Sequence, residues 1–265
     1  MPAIQIDRLK AQIQSILEPK FSAEIFLVSL RSLMEAHANL AFRSDIKSQR
    51  NHDLENYHLS PVILNQLQSH FILFTKENPD LAITYADLLW DEPFIEMKQF
   101  AGILLGALPE EKIPEIRERI VKWNNSTKDK ALRTIIFNDC TKTIRLHGLD
   151  KWLEIIKSWM DSGNPFLILT GIQSIQILLQ DPKFDNIPFV FNAISSITLL
   201  HQEKIANAVS ELLQNLLIRN SIETTFFIKS LLVSQPSQEL FRIIRRNLDF
   251  FSEEQQSKIR QLMKP

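Results

Sequence analysis

The chain has 265 residues, 45% of them apolar, and its 30 Lys and Arg against 31 Asp and Glu give a formal net charge of −1. That apolar fraction is ample for a continuous core, and the charge balance excludes a protein basic over its whole surface, as many nonspecific nucleic-acid binders are. Only 5 Gly stand against 12 Pro, too few glycines for a turn-rich sheet protein or a glycine-loop nucleotide site. The single Cys140 excludes an intramolecular disulfide and a cysteine-rich zinc site, and fits a reducing compartment. The first twenty residues alternate charged and apolar types, and no apolar run approaches the roughly 20 residues that span a bilayer. The expectation is a soluble cytoplasmic protein that makes no use of a membrane.

In chain order, apolar residues recur with the helical period almost everywhere. Ile4, Ile6, Leu9, Ile13, Ile16 and Leu17 form a first stripe, and Ile25, Phe26, Val28, Leu30, Leu33, Met34 and Leu40 a second. From Arg43 to His58 the period is lost in a polar run, which reads as a flexible loop over about 43–58. Helices resume at Ser60-Pro61, where Ser suits the cap and Pro the first turn. The same punctuation returns at Asn78-Pro79, Glu92-Pro93, Leu108-Pro109, Asn164-Pro165, Ile187-Pro188 and Gln235-Pro236. Helix pairs thus recur every 35 to 45 residues or so, the range of HEAT-type arrays. The predicted fold is all-α, a HEAT-like helical-repeat solenoid forming one domain over 1–265, with a concave groove as its binding surface. The stretch Leu88–Leu105 shows the unit most plainly: one helix stops, Pro93 turns the chain, and a second helix starts. Trp90, Phe94, Phe100, Ile103 and Leu104 are predicted to be buried there.

Charge is uneven along the chain. Between Lys112 and Lys157 eleven Lys or Arg stand against six Asp or Glu, an excess of five. Such a run either lines a groove that meets phosphates or is a solvated helix face. The six histidines show no metal-ligand spacing, so neither a metal nor a cofactor is expected.

Three corners carry a resemblance. Tyr57-His58-Leu59-Ser60-Pro61-Val62-Ile63-Leu64, then Leu89-Trp90-Asp91-Glu92-Pro93 with Glu96, then Trp159-Met160-x-Ser162-x-Asn164-x-Phe166-Leu167 resemble the corners of the DNA alkylation repair glycosylases built from HEAT-like repeats. The likeness spans roughly Ser60 to Gln180. It implies a groove that takes duplex DNA, a carboxylate that stabilises an oxocarbenium-like transition state, and aromatic faces that attract a cationic nucleoside. The family's Trp-x-x-x-Asp spacing falls on Asn125-Ser126-Thr127-Lys128-Asp129: Asp129 keeps the carboxylate and Asn125 replaces the aromatic. An Arg of the family falls on Leu169.

The resemblance therefore makes Asp129 the candidate catalytic residue, with Lys122, Trp123, Asn125, Lys128, Lys130, Arg133, Trp159 and Phe166 as candidate DNA contacts. Other readings stand beside these. An acid in a first helical turn is favoured by the dipole, which would explain Asp129 without chemistry. Trp123, Trp152 and Trp159 lie in helical patterns and suit a core. His147-Gly148 suits a helix C-terminus. The expected function is a HEAT-like repeat binding protein related to that family, taking DNA or a protein partner in its groove without the full catalytic set. The alternative is an active N-glycosylase that excises cationic N3- or N7-alkylpurines.

Overall fold

The structure is a computed structural model that describes residues 5–19, 22–39 and 54–263. Regular structure among these residues is helical, in fifteen α-helices, and the one bridge outside them joins Glu55 to Phe94. Proline does set the helix starts. Pro61, Pro79 and Pro165 open their helices, Pro188 is second in its own, and Pro93, Pro109 and Pro236 stand just ahead of the next helical turn. The reason is local, since proline at the first positions lacks only an N–H that would have no helical partner anyway. Ser60 departs from expectation. It holds the capping position, but its hydroxyl makes no capping bond and is buried without a partner. Asn164, Asn186 and Asn220 cap their helices through Oδ1.

Contacts divide the chain into two compact units, Met1–Leu149 and Asp150–Pro265. The first unit holds α1 (Ile6–Ile16), α2 (Ala23–His37), α3 (Pro61–Glu77), α4 (Pro79–Asp91), α5 (Ile95–Gly106), α6 (Ile113–Ser126) and α7 (Lys130–Ile135). Helix α7 runs straight into a π turn, Ile136–Cys140, followed by α8 (Lys142–His147). Nine of the twelve residues of α5 are buried, and α3, α4, α7, α8 and the π turn all pack on it. Aromatic rings knit the neighbouring helices: Phe26 stacks on Tyr85 at 3.8 Å, and Phe71 meets Phe100 edge-on at 5.1 Å. Each such side chain contributes roughly 1.5–3 kcal/mol by leaving water. Trp90, Phe100, Ile103 and Leu104 are buried as predicted, whereas Phe94 is half-buried and stacks on Tyr57 at 3.8 Å.

The second unit holds α9 (Leu149–Met160), α10 (Pro165–Gln180), α11 (Ile187–Ser195), α12 (Glu203–Arg219), α13 (Ser221–Ser234), α14 (Gln238–Arg246) and α15 (Glu253–Leu262). Helix α12 is its centre and packs on α10, α13 and α14. Arg219, the last residue of α12, donates to the carbonyls of Leu179 at 2.5 Å and Asp181 at 3.0 Å, and also to those of Pro182 and Phe184. One guanidinium thus holds the Leu179 carbonyl at the end of α10 and three carbonyls of the turn that follows it.

Of the expected flexible loop, 43–53 lies outside the described residues. Its last part is anchored. The Glu55 N–H donates to the Pro93 carbonyl at 3.1 Å, the Ile95 N–H donates back to Glu55 at 2.9 Å, and Tyr57 is 1% exposed.

Candidate functional site

The Trp-x-x-Pro corner is held by matched polar groups. The Arg31 guanidinium on α2 grips the buried Glu92 carboxylate through two bonds of 2.8 and 2.5 Å, the bidentate geometry in which an arginine holds a carboxylate most firmly. Lys98 donates to the Trp90 carbonyl, where α4 ends, and its ammonium sits 5.3 Å from the Trp90 ring centre. Burial pushes the Lys98 amine below its ordinary pKa, against the pull of Asp91 and Glu92. Trp90 stacks in turn on Trp123 at 4.3 Å, with the rings 3° from parallel.

Glu96, in the first turn of α5, does a different job. Its buried carboxylate accepts the Tyr57 N–H at 3.0 and 3.2 Å and the His58 N–H at 3.0 Å. The same His58 N–H reaches the Asn56 side-chain oxygen at 2.5 Å. These bonds hold His58 at φ +54°, the one left-handed residue other than glycine among those described. Asn and His enter that region more readily than most residues, yet it still costs energy, and residues held there cluster at functional sites.

Opposite lie α7 and the π turn. Asp129 caps α7, its Oδ1 accepting the N–H groups of Ala131 at 2.7 Å and Leu132 at 3.2 Å. A π turn widens the helix by one residue and turns its side chains to new directions; here it carries Asn138 and Asp139. Its close approach to α5 depends on glycine. A Cβ at Gly106 would lie 1.8 Å from the Asp139 carbonyl oxygen, and one at Gly102 would lie 2.9 Å from Ile135. Thr143 completes the contact by donating to the carbonyls of Gly106 at 3.0 Å and Leu108 at 2.7 Å.

Between these two walls is a cleft of about 900 Å³, the size of a small-molecule site. Asn56, His58, Gln99, Lys130, Thr134 and Asn138 supply its polar lining, and Leu59, Leu64, Ile95 and Ile135 its apolar part. Two acids also line it, but both are committed: Glu96 to the backbone of Tyr57 and His58, and Asp139 to Lys142 at 2.8 Å. The cation on its wall is Lys130. The chemistry on offer is neutral hydrogen bonding beside one positive charge.

The residues proposed from sequence separate into three groups. Lys122, Asn125, Lys128 and Lys130 are exposed at or near the turn from α6 to α7. Arg133 is half-buried, and burial pushes its guanidinium below the ordinary pKa while the neighbouring Asp129 acts the other way. Trp123 is 2% exposed against Trp90, so no face of it is open for stacking on a base. Trp159 and Phe166 lie in the second unit. Trp159 is 5% exposed and edge-on to Trp152 at 5.6 Å, and Phe166 is half-buried. The packing reading of the tryptophans is the one their burial supports.

Sequence reasoning missed Asn56, His58, Gln99, Asn138 and the clamp formed by Glu96. A partial signal was present, since Asn56-Tyr57-His58 offers two residues tolerant of positive φ just ahead of a Ser-Pro helix start. No helix among the described residues is long and apolar enough to cross a membrane, and no group of three or more His, Cys, Asp or Glu among them could hold a metal ion. No family model, no curated protein and no solved structure matches the chain.

Proposed function

We propose that the chain is a HEAT-like helical-repeat module whose first unit binds the phosphate backbone of duplex DNA at the lysine corner between α6 and α7, without excising bases. The observation that carries this reading is how the basic run sorts. Lys112 is engaged by Asp80 at 2.6 Å, Arg119 by Asp87 at 2.7 Å and Lys142 by Asp139, and Arg145 donates to the Asn138 carbonyl. Lys122, Lys128 and Lys130 fall within nine residues, are exposed, and make no ion pair among the described residues. Unpaired ammonium groups close together attract phosphates and release their counterions, which needs no base contact.

Base excision is left out because the resemblance rests that chemistry on Asp129, whose Oδ1 already accepts two backbone N–H groups as a helix cap. The test is binding of a fluorescent DNA duplex across a salt series. Three phosphate contacts predict a slope of log affinity on log salt of about −3, and reversal of Lys122, Lys128 and Lys130 to Glu should abolish binding. Arg133 is kept out of the reversal because its half-buried guanidinium belongs to the packing. Affinity that ignores salt, or that survives the triple reversal, overturns the reading. Free 7-methylguanine released from alkylated duplex by wild type but not by Asp129→Asn would replace it with the glycosylase reading.

A further inference from the structure

The cleft between His58 and the π turn carries polar groups that the fold does not use. Gln99 on α5 and Asn138 in the π turn are half-buried, and neither side-chain amide makes a hydrogen bond among the described residues. Asn56 gives its side-chain oxygen to the His58 N–H and keeps its amino group. Thr134 donates its hydroxyl to the Lys130 carbonyl at 2.9 Å and keeps its lone pairs. Lys130 is exposed and makes no ion pair among the described residues. An amide partly withdrawn from water is ordinarily paired within the protein. Two such amides left open on one cleft, beside three more groups with capacity to spare, make the lining of a polar ligand site.

The order of these groups limits what fits. Lys130, Thr134 and Asn138 follow at steps of four and share one face of their wall, with the ammonium at one end and the amide about 12 Å further along the axis. Ile135 lies between them in the chain, and Ile95, Leu59 and Leu64 bring further aliphatic surface. We propose that this cleft binds a nucleoside monophosphate with adenine as its base: the phosphate on Lys130, the faces of the ring against the aliphatic side chains, and its edge on Gln99 and Asn138. A side-chain amide presents a donor and an acceptor side by side, which is how Asn and Gln read N6 and N7 of adenine. One ammonium among the described lining residues, with no glycine loop in a chain of 5 Gly, supplies countercharge for one phosphate rather than three. The volume, about 900 Å³, admits the whole nucleotide, whereas an inorganic anion on Lys130 would leave both amides unpaired. Only Lys130 is shared with the DNA surface proposed above.

Calorimetric titration of the protein without DNA should give saturable, one-to-one binding of adenosine 5′-monophosphate. Adenosine should bind about tenfold more weakly for want of the charged contact, and ribose 5-phosphate should not saturate. Lys130→Ala should erase the difference between nucleotide and nucleoside, a readout that a purely structural role would not move. Gln99→Leu and Asn138→Leu should each weaken nucleotide and nucleoside alike, by about tenfold, and leave the salt dependence of duplex binding as it is. Where leucine disturbs folding, Gln99→Glu and Asn138→Asp keep the shape, remove the amino donor and should weaken binding as well. Lys122→Glu with Lys128→Glu should weaken duplex binding and leave the nucleotide affinity unchanged, so the two sites can fail separately. No saturation at millimolar nucleotide, an equal loss of nucleotide and nucleoside in Lys130→Ala, or full affinity in the variants of Gln99 and Asn138 overturns the proposal.

Discussion

The corner at Trp90 and the cleft beside Glu96 lie six residues apart on the same chain segment, yet they are built to different rules. At the corner every element closes on itself: Arg31 meets Glu92, Lys98 meets the Trp90 carbonyl, and two indole faces cover each other. Along the cleft the backbone leaves its regular forms twice, at His58 and at the π turn, and Lys130 stands without an ion partner among the described residues. Buried acids occur in both places, so burial of charge does not separate them. What separates them is irregular backbone, which structures keep only where something offsets its cost.

The largest effect expected from this contrast is at the corner. Trp90→Ala removes one of two stacked, buried indoles and should cost on the order of 3–5 kcal/mol in denaturant unfolding; an unchanged midpoint would show that the corner does not hold the unit together. Gly106→Ala comes next. Its methyl would lie 1.8 Å from the Asp139 carbonyl, so α5 and the π turn must separate, at a cost of about 3 kcal/mol. If the variant is as stable as wild type, the close approach that shapes the cleft is not required.

A smaller effect is pH-dependent. Burial, reinforced by the charges of Glu35 and Glu92, pushes the Tyr57 hydroxyl up to about 12. In the unfolded chain it titrates near 10, so the folded state binds this proton more tightly. The stability it confers is complete below pH 10 and is lost as pH rises from 10 toward 12. Tyr57→Phe should therefore lose less stability than wild type across that interval, and parallel pH profiles would show that the hydroxyl is not held neutral by the fold. The smallest effect belongs to Asp129. Asp129→Ala should cost about 1 kcal/mol through the lost cap and leave DNA affinity unreduced. A fall in affinity larger than the loss of stability explains would return Asp129 to the binding surface.

Much of this molecule is local physics and was legible in the sequence. Proline fixes φ and lacks an N–H, so Pro61, Pro79 and Pro165 announce helix starts wherever the rest of the chain lies. The apolar period of α5 announces a buried helix for the same reason, and all-α structure follows from repeating such signals with few glycines. The cleft was not legible, because its walls come from segments tens of residues apart, and Asn56, Gln99 and Asn138 carry no periodic mark. Whether a charge is free was equally hidden. Arg119 and Lys122 look alike in sequence, but Asp87 on another helix claims the first and no described acid pairs with the second. Likewise nothing in the order of residues said that Trp90 covers Trp123 or that Asp129 turns to its own helix. Helix starts depend on φ, the N–H and the neighbouring residue, so the sequence alone determined them. Partners depend on distance in space, so only the tertiary structure decided which side chains remain free to bind.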